Sequence, residues 1–325
     1  MDELLKEISI TEIEGVRIGH AQSDEAKTGV SVLYFPSGAQ VGCDISGGGP
    51  ASREVHLTDP LTADNPINAV VLSGGSAYGL CASDGVMRAL EESNIGYDTG
   101  FAKVPLVCQS CIYDLGYGKN NVRPDSNMGY EACKRALEGT SDAMGNIGAG
   151  TGATVGKLMG MKQATKTGLG VYAMQMGDLE VAAIVVVNAF GDVFNPENGQ
   201  KIAGMVDSER KTFVDLEKVF MSFMSAPKDL FTSNTTIGCV ITNAKFDKAK
   251  LNKIASMTRN AYARCINPVG TMADGDSIYA ASVGDVVSDV NLVGILCTRA
   301  MEKAIINAAC SAKIDDEEYL TNCLG

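Results

Sequence analysis

The 325-residue sequence contains no tryptophan and only two histidines, and aromatic residues make up 6% of the chain. So few aromatic side chains argue against a nucleic-acid surface on which bases stack. The formal net charge of −12 argues against the same partner, because an acidic surface repels phosphate backbones. The acidity is compatible with an amine-bearing substrate, although it is more commonly a solubility feature.

Long apolar runs are absent as well. No stretch of about 20 consecutive apolar residues occurs, so the sequence predicts no membrane-spanning helix. The opening residues, MDELLKEISI, are acidic and amphipathic and lack the basic and apolar regions of a signal peptide. These features predict a cytoplasmic protein.

The ten cysteines are expected to be thiols, as is usual for a chain of this size in a reducing compartment. Several lie in apolar runs, such as Cys239, which is typical of small core residues. Cys108 and Cys111 form one CxxC pair, but His20 and His56 do not supply the second half of a closed zinc site. We therefore expect neither a metal nor a cofactor.

Apolar runs and helical periodicities predict a layered α/β fold. Residues 1–50 favour strands with a turn at Pro36-Ser37-Gly38, and residues 67–73 form a buried strand candidate. Gly177-Asp178 predicts a hairpin between two β-rich runs. Apolar residues at helical spacing predict a helix at about 77–92. Further helices are predicted at about 126–137, which is polar, and at about 248–265 and 288–309. We expect one large domain, residues 1–325, in which helices cover a pair of strand layers.

Residues 195–234 differ from the rest because they are richer in polar and charged residues and lack sustained strand periodicity. They predict a long connection or mobile arm, which is uncommon in a compact domain unless it is functional or disordered. The segment ends at Asn234-Thr235, where the strand-like run TTIGCVITNA begins.

Two interpretations of this junction are open. It is either a linker that enters a strand rich in β-branched residues, or a backbone that cuts itself before Thr235. In the second case the Thr235 hydroxyl attacks the preceding carbonyl. The new N-terminus then carries a hydroxyl nucleophile and an α-amine, and the amine can act as the base. Such a nucleophile needs no Ser-His-Asp triad, which fits the scarcity of histidine.

Eight motifs follow one another between residues 8 and 312: EGVRIGH, DISGGGPASRE, VVLSGGSAYGL, CIYDLG, GTGATVGK, VVVNAFGDV, NTTIGCVITNA and DGDSIYAASVG. Together they resemble the self-cleaving L-aminopeptidase/D-esterase (DmpA-like) family, which includes β-aminopeptidases and endo-type 6-aminohexanoate-oligomer hydrolases. The resemblance implies an αββα-type sandwich, shared with ornithine acetyltransferases, and assembly as a homo-oligomer such as a tetramer. It also implies self-cleavage into residues 1–234 and 235–325.

Position by position, Thr235 matches the family nucleophile and Asn234 the residue left at the new C-terminus. Asn188, at the end of an apolar run, matches the oxyanion-hole asparagine, whose amide donates to developing negative charge. The alternative for Asn188 is an asparagine that merely caps a strand end.

Asp274 and Asp276 match the acidic pair of the threonine-containing branch. On a strand they would point to one face and could hold a hydroxyl nucleophile or an ammonium group; the alternative is an ordinary turn. Tyr113 matches a tyrosine that donates to a tetrahedral intermediate, and its alternative is a half-buried strand residue. Lys157 matches a lysine that stabilises negative charge or lowers a neighbouring pKa, and its alternative is a solvated lysine. Ala273 departs from the aromatic residue or histidine that is common in the family, which leaves the substrate open.

The family resemblance implies an amidohydrolase that acts on short peptides, amino-acid amides or esters with a free amine, including β- and ω-amino types. Two alternatives are an ornithine-acetyltransferase-like acyl transferase and a non-cleaving protein that binds small amines. Two glycine runs accompany these motifs. Gly74-Gly75-Ser76 opens a helix and favours packing over anion binding, while Gly47-Gly48-Gly49 permits close backbone contact.

Overall fold

The computed structural model describes residues 4–223 and 234–324. The helices are α1 (Ala82–Glu92), α2 (Ser126–Glu138), α3 (Leu216–Ser222), α4 (Lys248–Cys265), α5 (Val290–Ser311) and α6 (Asp316–Thr321). The strands are β1 (Lys6–Ile8), β2 (Arg17–Ser23), β3 (Thr28–Ile45), β4 (Ala51–Arg53), β5 (Ile67–Ser73), β6 (Tyr97–Asp98), β7 (Lys103–Val104), β8 (Val107–Cys111), β9 (Thr154–Val155), β10 (Thr165–Lys166), β11 (Leu169–Met176), β12 (Leu179–Asn188), β13 (Asp192–Phe194), β14 (Lys201–Ala203), β15 (Thr235–Ala244), β16 (Ile266–Asn267) and β17 (Ser277–Val286).

The long strand β3 belongs to two sheets. Its carboxyl half pairs with β17 in the order β1-β11-β12-β15-β17-β3, and its amino half pairs with β2 and with β5, which continues to β8 and β4. The register shifts between Tyr34 and Ala39, where Gly38 has a φ of +73°. The turn predicted at Pro36-Ser37-Gly38 is therefore wrong, because these residues form an irregularity inside one strand and the chain does not reverse there.

The two sheets pack face to face around an apolar cluster. Leu33 and Leu72 contribute from one sheet, and Ile184, Ile237 and Tyr279 contribute from the other. Helices α4 and α5 cover the outer face of the first sheet, and α1 and α2 cover the outer face of the second. The predicted arrangement of helices over a pair of strand layers is confirmed, because each strand layer buries one face against the other and one against helices.

The helix predictions hold with one exception. Helix α4 has the predicted bounds, and Asp247 caps it by accepting a hydrogen bond from the Lys250 N–H. Helix α1 starts at Ala82, later than the predicted residue 77, because Ser76–Cys81 forms a 3-10 helix. A Cβ atom on Gly79 would lie 1.9 Å from the Gly74 carbonyl oxygen, so the chain is too tightly packed there for any other residue. None of the helices within 4–223 and 234–324 is long and apolar enough to cross a bilayer.

The segment before the Asn234-Thr235 junction is more regular than predicted. It contains β14 and α3, and Asp192 anchors it by accepting a hydrogen bond from the Met205 N–H at 2.7 Å and pairing with Lys201. Lys201 also donates to the Val214 carbonyl at 2.6 Å. The irregular arm predicted for 195–234 is therefore wrong for residues 195–223, while residues 224–233 lie outside the described residues.

Candidate functional site

Strands from distant parts of the chain bring the predicted residues together. Thr235 opens β15 and lies directly across from Asn188, the last residue of β12. On its other side β15 runs parallel to β17, and Asn234 bridges to Asp274 just before that strand. Asn234 and Thr235 are only 2% and 4% exposed, so the junction lies inside the protein.

The carbonyl group of Asn234 receives two donors. The Gly275 N–H donates to it at 2.9 Å, and the Thr235 hydroxyl donates to the same oxygen. A Cβ atom on Gly275 would lie 2.9 Å from the Thr235 hydroxyl oxygen and 2.7 Å from the Gly49 carbonyl oxygen, so glycine is required here. A backbone N–H aimed at a carbonyl oxygen stabilises negative charge that develops on that oxygen.

The Asn188 side chain is held in one orientation. Its Oδ1 accepts hydrogen bonds from Lys157 Nζ at 2.7 Å and from the Thr154 N–H at 3.0 Å. Its Nδ2 donates to the Tyr113 carbonyl oxygen at 2.8 Å. Since both donors face Oδ1, the amide group cannot flip without losing them, and within the described part of the chain Nδ2 uses only one of its two hydrogens.

Lys157 is a buried lysine, not the solvated one considered as an alternative. Its Nζ donates to both the side-chain and the main-chain oxygen of Asn188. Burial lowers the pKa of Lys157 to about 7, while the negative charges of Asp274 and Asp114 oppose that shift. Lys157 can therefore change its charge near neutral pH, a property common among catalytic lysines.

The acidic pair precedes β17 and does not lie on it, because that strand begins at Ser277. The prediction that strand alternation aligns Asp274 and Asp276 is therefore wrong. Their positions are set by a turn in which Asp274 accepts from Thr271 Oγ1 at 2.6 Å and Asp276 accepts from the Thr236 N–H at 2.6 Å. Burial, followed by the charge of Asp274, raises the pKa of Asp276.

The Gly47-Gly48-Gly49 run lies directly against this turn. The Gly49 N–H donates to the Asp274 carbonyl at 2.9 Å, and the Gly47 N–H donates to the Asp276 carbonyl at 3.2 Å. A Cβ atom on Gly47 would lie 2.3 Å from the Asp276 nitrogen. The predicted close backbone contact is confirmed, and its effect is to fix the acidic turn beside Thr235.

The Gly74-Gly75-Ser76 turn does more than pack. The Gly75 N–H donates at 2.7 Å to the buried carboxylate of Asp114, which also accepts from Thr28 Oγ1 at 2.6 Å. Burial raises the pKa of Asp114. The negative group at this turn is therefore a side chain of the protein itself.

Tyr113 enters the site through its main chain, since its carbonyl oxygen accepts from Asn188. Its predicted role as a hydroxyl donor to an intermediate stays a prediction. Cys108 and Cys111 are buried in β8, and burial raises the pKa of each thiol to about 12. Across 4–223 and 234–324 no group of three or more His, Cys, Asp or Glu side chains could hold a metal ion.

Sequence reasoning missed three contributors to the site: the Gly275 N–H, the Asp114 carboxylate and the Thr154 N–H. Two of these are backbone groups, which have no signature in a side-chain pattern. Asp114 lies in the CIYDLG motif next to Tyr113, so the motif contained the signal although it was not assigned a role.

Comparisons with known proteins identify the family of this chain. The profile of peptidase family S58 matches residues 9–317. An uncharacterized aminopeptidase of Mycobacterium tuberculosis is 34% identical over 319 residues, covering 94% of this chain and 90% of the relative. A 6-aminohexanoate-oligomer endohydrolase of Agromyces sp. is 32% identical over 276 residues, covering 84% of this chain and 74% of the relative.

Among solved structures, the L-aminopeptidase D-Ala-esterase/amidase of Ochrobactrum anthropi superposes with a TM-score of 0.68. It is 16% identical, and the match covers 96% of this chain and 92% of that protein. That structure is a variant of the Ntn hydrolase fold, and the superposition shows that the present chain has a similar fold.

Proposed function

Since this chain belongs to peptidase family S58 and is a hydrolase of the aminopeptidase and amidase type, we propose that it cuts its own backbone between Asn234 and Thr235. Thr235 then serves as the nucleophile that hydrolyses amide bonds. The observation that carries the proposal is the Asn234 carbonyl, which receives the Gly275 N–H at 2.9 Å and is contacted by the Thr235 hydroxyl.

Self-cleavage begins when the Thr235 hydroxyl oxygen bonds to the Asn234 carbonyl carbon. The Gly275 N–H stabilises the negative charge that develops on the carbonyl oxygen. The C–N bond to Thr235 breaks, an ester forms, and the hydroxyl proton ends on the released amine. Water then hydrolyses the ester, which leaves a carboxylate on Asn234 and a free hydroxyl and amine on Thr235. The products are residues 1–234 and 235–325.

Turnover of substrates uses the same hydroxyl. The new α-amine, whose reference pKa is about 8, accepts the hydroxyl proton as Thr235 attacks the substrate carbonyl. The remaining Nδ2 hydrogen of Asn188 donates to the oxyanion, and Lys157 holds the Asn188 amide in place. The amine product leaves with the proton, and water releases the acid from Thr235.

The substrates that we propose are short amides with a free amine, because the two buried carboxyl groups of Asp274 and Asp276 lie next to the Asn234-Thr235 junction. The names of the relatives, an aminopeptidase and an endohydrolase of 6-aminohexanoate oligomers, support α-amino and ω-amino amides as the first candidates. A carboxylate at this turn would attract the ammonium group of such a substrate.

Intact mass spectrometry of three versions of the full chain tests self-cleavage. The wild type and Thr235→Ser are expected to give two fragments, because both carry a hydroxyl at the junction. Thr235→Ala is expected to stay in one piece and to release no amine from 6-aminohexanoate oligomers or aminoacyl amides. A Thr235→Ala chain that still splits between residues 234 and 235 would refute the nucleophile.

Gly275→Ala tests the carbonyl geometry separately. The new Cβ atom would lie 2.9 Å from the Thr235 hydroxyl oxygen, so we expect cleavage of freshly made protein to slow strongly. Gly139→Ala is the matched control, since no atom lies within 4 Å of its new Cβ. Equal cleavage rates for the two variants in a time course would contradict the assignment of Gly275.

A further inference from the structure

A basic cavity lies apart from the Thr235 site. Its volume is about 320 Å³, and it is enclosed by β10, β14, the loop that carries Arg210 and Phe213, and the region from the end of α5 to α6. Four of its thirteen lining residues are lysine or arginine, and one is acidic. The whole chain has 27 lysines and arginines among 325 residues and a net charge of −12, so basic residues are concentrated at this cavity.

Two cations at the cavity keep donors to spare. Arg210 donates through Nε to Asp316 at 2.7 Å and through Nη1 to the carbonyls of Lys162 and Ala164. Its Nη2 makes no hydrogen bond within 4–223 and 234–324, and Lys313 has neither an ion pair nor a hydrogen bond there. Both groups can therefore accept an anion without breaking an existing contact.

The Arg210 guanidinium is held in place before any ligand arrives. It stacks over the ring of Tyr319 with 4.5 Å between its central carbon and the ring centroid. Arg210 also has a φ of +57°, an uncommon backbone conformation for a residue other than glycine. Strain of this kind persists where the surroundings fix it, and it clusters at ligand sites.

The cavity also has an apolar wall. Phe213 is 46% exposed, and its ring centroid lies 5.9 Å from the Lys201 ammonium. Ile202 and Ile314 also line the cavity. A bare inorganic anion would leave this surface in water, whereas a carboxylate on a short hydrocarbon chain would cover it. The volume is near the lower end of the range for small-molecule pockets, about 300–1,000 Å³.

We propose that this cavity binds a small carboxylate with an apolar body. Lys313 and Arg210 Nη2 take the carboxylate, and Phe213 packs against the hydrocarbon. The lining includes none of Thr235, Asn188, Lys157, Asp274 and Asp276, so the proposal does not depend on the self-cleaving mechanism.

Isothermal titration calorimetry of the full chain with hexanoate tests the proposal, with hexanamide as the uncharged analogue. We expect hexanoate to bind and hexanamide to bind much more weakly. Lys313→Gln should weaken hexanoate binding about tenfold, because a charge-assisted contact is lost. Lys253→Gln, at an exposed position on α4, is the matched control and should leave the affinity unchanged.

Two further comparisons separate other sites and other ligands. Phe213→Ala should weaken binding of hexanoate but not of acetate, and Thr235→Ala should bind hexanoate as the wild type does. Loss of binding in Thr235→Ala with retention in Lys313→Gln would place hexanoate at the Thr235 site and overturn the proposal. Equal affinity for hexanoate and hexanamide, or binding of inorganic phosphate without hexanoate, would overturn it as well.

Discussion

Two buried lysines, Lys157 and Lys166, have similarly lowered pKa values but different contacts. Burial lowers the pKa of each to about 7. Lys157 donates to the side chain of Asn188, which is paired with Thr235 on the adjacent strand. Lys166 donates to the backbone carbonyls of Gly150 and Thr167 and borders the basic cavity. A shifted pKa therefore reports burial, and only the contacts of a lysine distinguish a catalytic candidate from a structural one.

The largest expected difference between the two lysines is in turnover. Lys157→Met should lower kcat/KM for amide hydrolysis by about 100-fold or more, because the charge beside Asn188 is lost. Lys166→Met should keep most of the wild-type rate. Initial rates with an aminoacyl amide measure both, after circular dichroism shows that each variant is folded. Similar losses in the two variants would remove the distinction between them.

The second difference is in stability against pH. The folded-state pKa of Lys166 is about 7 and its ordinary value is 10.5, so between these values the unfolded chain binds a proton that the folded chain does not. The free-energy cost of burying the charged form of Lys166 therefore applies in full below pH 7, and it decreases as the pH rises from 7 to 10.5. The wild type should therefore gain stability over Lys166→Met by up to about 1.4 kcal/mol per pH unit in this window.

Urea unfolding at pH 7 and pH 9 measures this gain, in a Thr235→Ala background so that the chain is expected to stay in one piece. For Lys253→Met, which removes an exposed lysine, the difference in stability from the wild type should not change with pH. Parallel pH profiles for the wild type and Lys166→Met would contradict the lowered pKa.

The smallest expected effect links the two lysines. The negative charge of Asp114 raises the pKa of both, and both of its oxygen atoms accept hydrogen bonds, as an ionised carboxylate does. Asp114→Asn should move the Lys157-linked limb of the pH–rate profile to lower pH, together with the Lys166-linked stability transition. Asp178→Asn, an exposed change at the hairpin between β11 and β12, is the matched control and should move neither. A shift in only one lysine would separate their environments.

The sequence predicted the four longest helices, with the start of α1 five residues early, but not the direction of the chain at β3. Helix α4 follows from its apolar spacing and from Asp247 at its start, both of which are local features. The Pro36-Ser37-Gly38 signal is equally local, yet the chain continues straight because β17 and β5 pair with the two halves of one strand. The course of β3 therefore depends on pairing with strands that are distant in sequence, and a short sequence window does not contain that information.

The sequence named several side chains of the candidate site, but it did not predict their contacts. Asn188 and Thr235 are far apart in sequence, and family resemblance named both, but their pairing across β12 and β15 is a property of the sheet. The burial of Lys157 could not be inferred either, because a lysine next to glycine in a loop-like motif gives no sign of what covers it. The acidic pair lies next to the Asn234-Thr235 junction, as expected, but in a turn and not on a strand.

Strand β15 has a neighbour on each side, β12 and β17, along almost its whole length. A cut ahead of Thr235 would therefore leave the two pieces interlocked through a shared sheet, with no covalent tie between them. Once unfolded, the pieces would have to meet again in solution, so recovery would depend on protein concentration, whereas an uncut Thr235→Ala chain would recover at a rate independent of it. A single break at this place would therefore change refolding from a reaction of one chain into an association of two.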